Sequence, residues 1–217
     1  MDETPDGPPS GVSPSRPAGV VWDLGNVVID WDPHAAVAAG VGPAEAARFL
    51  AASDFDFRAW NHLHDAGGTW ADGLAEVART SPHWAEHARA YHDHFPASLV
   101  GEVPGTAAII RELHAAGVPQ WGLTNWSAEL YHHAPATFDV LALLEDVVVS
   151  GVEGVAKPDP RIFAVLRART GRPLEELVFV DDRDDNVAAA SAAGLHALLF
   201  RDAARLRAAL RDLGLPV

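Results

Sequence analysis

The chain has 217 residues, with 30 Asp and Glu residues against 16 Lys and Arg residues, and its formal net charge at pH 7 is -14. Such an acidic surface disfavours nucleic acids and anionic membranes, so we expect neither as a partner. The sequence contains no cysteine, which excludes disulfides and thiolate metal sites. It lacks the run of about 18 apolar residues that a membrane span needs and the order of an export signal. We therefore expect a cytoplasmic protein, either a monomer or a homodimer.

Residues 1–17 carry five prolines with Gly and Ser and few apolar residues, which predicts a disordered tail. The apolar run 19–22 predicts a short strand buried on both faces, and it ends abruptly at Asp23. The next segment, 27–33, reads as extended backbone that ends at a proline. An aspartate at the carboxyl end of a buried strand lies where parallel sheets bind their ligands.

The composition changes between Pro33 and Pro96 to Ala-rich helical segments, and this stretch has no clear strand. The predicted helices cover 44–50, 55–62, 70–79 and 84–94. A crossover between neighbouring parallel strands needs little more than a dozen residues, so the excess length predicts a small helical cap at 33–96, inserted into a core of 18–32 and 97–217.

Strands and helices alternate from residue 104 onward. The pattern predicts, in order, a helix from Pro104 to Gly117, strand 119–124, a helix at 128–143, strand 146–150, a loop at 151–158, helix 159–170, strand 177–180, helix 184–193, strand 196–200 and a last helix through Leu206, Leu210 and Leu213. Such alternation predicts an α/β fold: a three-layer αβα Rossmann-like core with a parallel sheet.

Polar residues follow four of these predicted strands: Asp23, then Thr124 with Asn125, then Lys157 in a loop, and finally Asp181 with Asp182. Because the carboxyl ends of parallel strands meet at one edge of the sheet, we expect these residues to share a crevice. The carboxylates of Asp23 and Asp182 suit Mg²⁺ rather than a soft metal.

The other residues of this set suit a phosphate. Thr124 and the backbone N–H groups after it can hold phosphate oxygens, and Lys157 supplies positive charge. An aspartate beside Mg²⁺ and a lysine can attack phosphorus and form an aspartyl-phosphate that water cleaves.

These motifs resemble those of the haloacid dehalogenase superfamily of hydrolases. They read Val21-Trp22-Asp23-Leu24-Gly25-Asn26-Val27, Gly122-Leu123-Thr124-Asn125, Ala156-Lys157-Pro158-Asp159-Pro160 and Phe179-Val180-Asp181-Asp182. The Asp-Leu-Gly-Asn-Val form is most similar to the sugar-phosphatase branch, near glucose-1-phosphate phosphatases and the N-terminal domains of epoxide hydrolases. The resemblance implies Mg²⁺-dependent hydrolysis of a small phosphorylated metabolite.

The resemblance also implies individual roles. Asp23 would be the nucleophile and a metal ligand, Gly25 would offer its carbonyl to the metal, and Asp182 would bind the metal directly and Asp181 through water. Thr124 and Lys157 would act on the phosphate, which Asn125, Gly25 and Asn26 would also contact.

Gly25 departs from the family pattern, because most phosphatases of the family have an acid–base aspartate there. Asp30 or Asp32 are candidates to replace it. The gap leaves two alternatives open: 2-haloacid dehalogenation, in which the aspartate attacks carbon without a metal, and a weakly active or non-catalytic phosphate-binding protein. Trp31, Trp60 and Trp126 are candidates to line a pocket between cap and core.

Overall fold

The computed structural model describes residues 16–217, so residues 1–15 of the predicted tail lie outside the described residues. The strands of this part of the chain are β1 Gly19–Trp22, β2 Ile29–Trp31, β3 Leu99–Glu102, β4 Gln120–Thr124, β5 Asp146–Val149, β6 Leu177–Asp181 and β7 His196–Leu199.

The helices divide into two groups. Between β2 and β3 lie α1 Pro33–Val41, α2 Pro43–Leu50, α3 Phe57–Asp65, α4 Trp70–Thr80 and α5 Ala85–Asp93. After β3 lie α6 Thr106–Ala115, α7 His133–Thr137, α8 Ser150–Glu153, α9 Pro160–Thr170, α10 Asp184–Ala192 and α11 Ala203–Asp212. Among the described residues, no helix combines the length and apolar character that crossing a bilayer requires.

Five strands form one parallel sheet in the order β5-β4-β1-β6-β7, which confirms the predicted α/β class. β1 is central and pairs with β4 on one side and β6 on the other. The residues that follow these three strands therefore emerge side by side at the middle of the carboxyl edge.

Both faces of the sheet are covered, which confirms the three layers. Side chains alternate along a strand, so Val20 and Trp22 of β1 enter one apolar cluster and Val21 enters the other. Helices α6 and α11 pack into the first cluster, through residues such as Ile110 and Leu210. Helices α9 and α10 pack into the second.

β2 and β3 form a separate antiparallel pair, in which Ile29 lies opposite Glu102. The sequence analysis did not identify β3. β2 is also shorter than the predicted extended segment, because Asn26 adopts a left-handed φ of 58° and the carbonyl of Leu24 accepts the N–H groups of Val28 and Ile29 in a turn. This ribbon joins the two ends of the helical stretch, since the chain leaves through β2 and returns through β3.

The helical stretch contains the four predicted helices with shifted ends, and α1 in addition. Asp32 caps α1 through a hydrogen bond from the N–H of His34, and Pro33 occupies its first turn. Aromatic side chains form the interior of the stretch, where Phe57, Trp60 and Tyr91 contact one another. The division into core and cap domains at residues 33 and 96 stays a prediction.

The predicted helix at 128–143 was wrong. The structure has only the five-residue helix α7 and a 3₁₀ helix at Asp139–Leu143. Pro135 lies inside this stretch, and a proline removes an N–H donor and clashes with the carbonyl four residues earlier. The predicted loop at 151–158 likewise begins within the short helix α8, which ends at Gly154 with a φ of 68°.

Gln120 connects β1, β4 and α6 through one buried side chain. Its Oε1 accepts a hydrogen bond of 3.0 Å from the indole Nε1 of Trp22, and its Nε2 donates one of 3.0 Å to the carbonyl of Ile110. Both partners are buried, so neither has water as a substitute partner.

We expect Gln120→Leu to lower the free energy of unfolding by about 1–3 kcal/mol, because it leaves the buried Trp22 N–H without a partner and removes one of the two donors to the Ile110 carbonyl. Urea titration of both proteins measures this difference. The double variant with Trp22→Phe should show a smaller loss than the sum of the two single losses. A change below about 0.5 kcal/mol for Gln120→Leu would contradict the importance of this network.

Candidate active site

The carboxyl ends of the three central strands bring Asp23, Thr124 and Asp181 together. Asp23 directly follows β1, while Thr124 and Asp181 are the last residues of β4 and β6. All three are buried, with exposed fractions of 7%, 1% and 0%. The strand pairing that places β1 between β4 and β6 is therefore what assembles residues far apart in the sequence.

The ammonium of Lys157 lies at the centre of this group. Its Nζ is 2.9 Å from Oδ1 of Asp23 and 2.7 Å from Oδ2 of Asp181, and it donates a third hydrogen bond of 2.7 Å to the carbonyl of Leu123. An ammonium has three N–H donors, so all of them are used. The side chain is only 1% exposed.

Lys157 is also the only lysine in the sequence. Every other strongly basic side chain is an arginine, whose planar guanidinium does not match three acceptors around one point. This compositional signal was available from the sequence and points to a position that requires a compact ammonium.

Burial shifts the protonation of the acidic groups. Burial raises the pKa of Asp23 to about 7, against the opposing charge of Lys157. Burial raises the pKa of Asp182 as well, and the neighbouring Asp181 adds to the effect. Burial alone would lower the pKa of Lys157, but Asp23 and Asp181 outweigh it and raise this pKa above its usual 10.5. One ammonium faces three carboxyl groups, so the site lacks positive charge.

Carboxylate oxygens of Asp23, Asp181 and Asp182 lie within 4.8 Å of one another. Asp181 is the most enclosed, because it also accepts hydrogen bonds from Nδ2 of Asn186 and from the N–H of Arg183. Hard oxygen donors with a shortage of positive charge fit Mg²⁺, and an added cation would relieve the repulsion among these carboxylates.

Asn125 contacts the loop that carries Lys157. Its Oδ1 accepts the N–H of Lys157 at 2.8 Å, and its Nδ2 donates to the carbonyl of Lys157 at 2.9 Å. The Asn125 side chain therefore positions the backbone of the lysine.

Gly25 and Asn26 begin the turn after Asp23. Asn26, and not Gly25, has the left-handed backbone of this turn. The Asn26 N–H donates to the carbonyl of Ile29, and its Oδ1 accepts the N–H of Trp31. Its polar groups are thus engaged in the turn. A Cβ at Gly25 would meet nothing within 4 Å, so this position borders open space.

A cavity of about 80 Å³ lies beside this turn, between the parallel-sheet core and the helical stretch. From the core side, Gly25, Asn125, Trp126, Ser127 and Leu130 line it. The opposite wall consists of Trp31 of β2, of side chains from α3, α4 and α5, and of Phe95, which follows α5. The helical side chains are Asn61, Asp65, Trp70 and Tyr91. Trp31 and Trp126 were expected here, but Trp60 packs inside the helical stretch and Trp70 takes its place.

The sequence analysis missed the residues that join the two walls. Trp70 donates from Nε1 to Oγ of Ser127 at 2.7 Å, and its N–H donates to Oε1 of Glu129 at 3.0 Å. Ser150 Oγ donates to the carbonyl of Asp65 at 2.5 Å and accepts the N–H of Trp126 at 3.0 Å. No local sequence pattern marks these residues, because the partners that bond across the two walls are separated by 57 to 85 residues in the sequence.

We expect Lys157→Met to lower the free energy of unfolding by about 3–5 kcal/mol at pH 8, because it leaves the carboxylates of Asp23 and Asp181 buried without a cation. Without the ammonium, the folded-state pKa of Asp23 lies still further above its unfolded value. A raised carboxyl pKa favours folding at low pH and loses this contribution as pH rises. The deficit should thus be smaller at pH 5 than at pH 8.

Urea unfolding in EDTA at both pH values measures this deficit. Arg161→Met is the matched control, since Arg161 forms an exposed pair with Asp159, and it should cost less than about 1 kcal/mol at either pH. Equal deficits for Lys157→Met at pH 5 and pH 8 would contradict the electrostatic account.

Comparison with known proteins places this site in a family. Two curated relatives are a sesquiterpene phosphatase from Aspergillus oryzae, 30% identical over 106 residues, and a phosphoglycolate phosphatase from Cereibacter sphaeroides, 33% identical over 117 residues. The first alignment covers 49% of this chain and 54% of the relative, and the second covers 54% and 52%. The chain thus aligns with only about half the length of these relatives.

Solved structures share the fold at lower identity. A haloacid dehalogenase family enzyme from Bacteroides thetaiotaomicron, in complex with magnesium and inorganic phosphate, superposes with a TM-score of 0.63 at 18% identity, over 85% of this chain and 94% of that one. An L-2-haloacid dehalogenase from Xanthobacter autotrophicus gives 0.59 at 17% identity, over 83% and 76%. The family model for haloacid dehalogenase-like hydrolases matches residues 17–194. The chain belongs to the haloacid dehalogenase-like hydrolase family.

Proposed function

We propose that the protein hydrolyses a small phosphomonoester, such as a sugar phosphate or a similar metabolite, with Mg²⁺ as cofactor and Asp23 as nucleophile. The observation that carries this proposal is the contact of one buried ammonium, Lys157, with Asp23 and Asp181 beside Asp182. Phosphatases among the relatives support the choice of a phosphate ester.

The contacts of Asp23 orient its carboxylate for attack on phosphorus. Its Oδ1 accepts hydrogen bonds from the N–H of Leu24 at 2.8 Å and from Lys157, which fixes the plane of the carboxylate. A bond forms between an Asp23 oxygen and phosphorus while the ester P–O bond breaks, and the alcohol leaves with a proton. Water then cleaves the aspartyl-phosphate and releases phosphate.

The neighbouring residues supply binding and charge. Lys157 stabilises negative charge on the transferred group, and Thr124 at the end of β4 contacts a phosphate oxygen through its hydroxyl group. Asp23, Asp181, Asp182 and the carbonyl of Gly25 would hold Mg²⁺, which would supply the remaining positive charge. Asn125 keeps the lysine loop in place, and the backbone N–H of Gly25 completes the phosphate site, whereas Asn26, whose N–H donates to the carbonyl of Ile29, holds the turn.

The helical stretch 33–96 acts as a cap in this proposal. Ligand pockets usually have volumes of about 300–1,000 Å³, whereas the cavity here measures about 80 Å³. Trp70 and Asp65 connect the cap to the core through Ser127 and Ser150. Breaking these contacts would admit the substrate, and restoring them would exclude bulk water during the reaction.

The cavity favours a leaving group without negative charge. None of the described residues that line it is Lys, Arg or His, and five of the eleven are aromatic. Asp65, in the same wall, supplies no positive charge either. Sugar rings pack well on aromatic faces, while a substrate with a carboxylate would lack a cationic partner.

Two experiments distinguish the alternatives to phosphatase activity. Chloride release from a 2-haloacid in EDTA would favour dehalogenation, for which the haloacid dehalogenase fold similarity is the supporting observation. A large gain of turnover in Gly25→Asp, which the open space beside Gly25 accommodates, would favour a weakly active phosphate-binding protein.

We expect Asp23→Asn to reduce Mg²⁺-dependent release of phosphate by a factor on the order of 10⁴–10⁶, because the amide cannot form the phosphorylated intermediate. A colorimetric phosphate assay on a panel of phosphorylated metabolites measures the rate with Mg²⁺ and with EDTA. Asp30→Asn, at an exposed position on β2, is the matched control and should keep the wild-type rate. Full activity of Asp23→Asn would rule out the proposed mechanism.

We also expect kcat/KM for the best uncharged sugar phosphate to exceed that for phosphoglycolate by at least about tenfold, because placing a carboxylate in a cavity without a cationic partner costs more than about 1.4 kcal/mol. Steady-state kinetics on both substrates at one salt concentration tests this order. A higher kcat/KM for phosphoglycolate would show that the cavity does not select substrates by the charge of the leaving group.

A further inference from the structure

The proposed hydrolysis has a requirement that the residues described so far do not meet. An alcohol is a poor leaving group as an alkoxide, so the leaving oxygen must receive a proton, and the attacking water must lose one in the second step. Gly25 has no side chain to do this. Asp32 accepts a hydrogen bond from the N–H of His34 as the cap of α1, and neither Asp30 nor Asp32 lines the cavity.

Only two side chains with a titratable proton line the cavity among the described residues, Asp65 and Tyr91. Asp65 is the last residue of α3, and its carboxyl group lies in the wall opposite Gly25 and Asn125. Tyr91 comes from α5 and packs edge-on against Phe57. Burial raises the pKa of Tyr91 well above 10, so its hydroxyl keeps its proton at neutral pH.

Building on the proposed phosphatase function, we propose that Asp65, supplied by the helical cap, is the catalytic acid and base of the reaction. In the first step the protonated carboxyl gives its proton to the ester oxygen as the P–O bond breaks, and a neutral alcohol leaves. In the second step the carboxylate takes a proton from water as the water oxygen bonds to phosphorus and the bond to Asp23 breaks. Asp65 is then protonated again, and the cycle balances.

The backbone around Asp65 is fixed to the core. The Asp65 carbonyl accepts a hydrogen bond of 2.5 Å from Ser150 Oγ, and the same oxygen atom of Ser150 accepts the N–H of Trp126. Nδ2 of Asn61, one turn earlier on α3, donates to Oδ2 of Asp65 at 3.1 Å. The carboxyl group is therefore held against the loop after β4 whenever the cap is docked.

Two features disfavour an aspartate at this position, and the hydrogen bonds from Asn61 and from the Ser127 N–H offset them only in part. The carboxyl end of a helix carries a partial negative charge, so an acidic residue is unfavourable there. Asp65 is half-buried in the wall of a cavity that Trp31, Trp70 and Trp126 also line, which adds a desolvation cost. A residue that lines a cavity and is unfavourable for the stability of its own helix is a candidate for function.

The electrostatic surroundings match the two roles. Burial raises the pKa of Asp65 to about 7, while Asn61, then Lys157, then the N–H of Ser127 act in the opposite direction. Lys157 and Tyr91 are the charged and titratable groups that influence this carboxyl from the elements packed against it. A group with a pKa near the working pH is available both as acid and as base.

The test uses leaving groups that differ in their need for a proton. Nitrophenolate leaves without protonation, whereas the alkoxide of glycerol 2-phosphate does not. We expect Asp65→Asn to reduce kcat/KM for glycerol 2-phosphate by about 10²–10⁴-fold and that for p-nitrophenyl phosphate by less than about tenfold. Asp56→Asn, which keeps an N-cap at the other end of α3, should change neither value.

A purely structural role for Asp65 predicts equal losses on the two substrates, and that result would overturn the inference. Unchanged kcat/KM on both substrates would overturn it as well. Wild-type protein that hydrolyses neither substrate with Mg²⁺ would instead contradict the proposed function, so the two failures are distinguishable.

Asn61→Leu tests the same role if Asp65→Asn does not fold. Loss of the amide donor removes an interaction that lowers the pKa of Asp65, so the basic limb of the kcat/KM profile for glycerol 2-phosphate should move to higher pH. The profile for p-nitrophenyl phosphate should keep its basic limb. Equal movement of both profiles, or movement of neither, would overturn the role of Asp65 as the acid.

Discussion

The contact between the Lys157 ammonium and two buried carboxylates is the interaction on which the candidate site depends. Three donors on one nitrogen meet Asp23, Asp181 and the carbonyl of Leu123, so strands β1, β4 and β6 share one positive charge at their carboxyl ends. Removing that charge would leave acidic groups in a low-dielectric interior, which is costly in any fold. The chain uses its single lysine here.

The charge balance of the site also explains why it suits a phosphate and a divalent ion together. One ammonium cannot neutralise three carboxyl groups; burial raises the pKa values of Asp23 and Asp182, and the neighbouring carboxylates add to this effect. A cation relieves the repulsion among the carboxylates, and a phosphate then finds positive charge on two sides. The overall net charge of -14 makes such a local concentration of positive charge necessary for an anionic substrate.

The helical stretch and the loops of the parallel-sheet core meet through specific hydrogen bonds. Trp70, Ser127 and Ser150 form them, and Asp65 lies in the middle of this contact. In our proposal the acid–base group thus arrives with the cap, so the reaction site is complete only while the cap is closed. Such an arrangement would link the exclusion of water to the presence of the proton donor.

The sequence alone determined the layered fold and the four positions after the strands. Buried parallel strands read as short apolar runs, and each polar residue after such a run is visible without any structure. Asp23, Thr124, Lys157 and the pair Asp181-Asp182 could be identified for this reason. Helix α1, strand β3 and the break at Pro135 were missed or misread, because α1 has no clear apolar stripe and β3 exists only by pairing with β2.

Only the tertiary structure decided which residues of the helical stretch face the site. Asp65 and Trp70 lie on segments with an ordinary amphipathic pattern, and their contacts with Ser127 and Ser150 join positions 57 to 85 residues apart. Local sequence reports which side of a helix is apolar, but not which distant loop meets its end. That meeting depends on the packing of the whole stretch against the sheet.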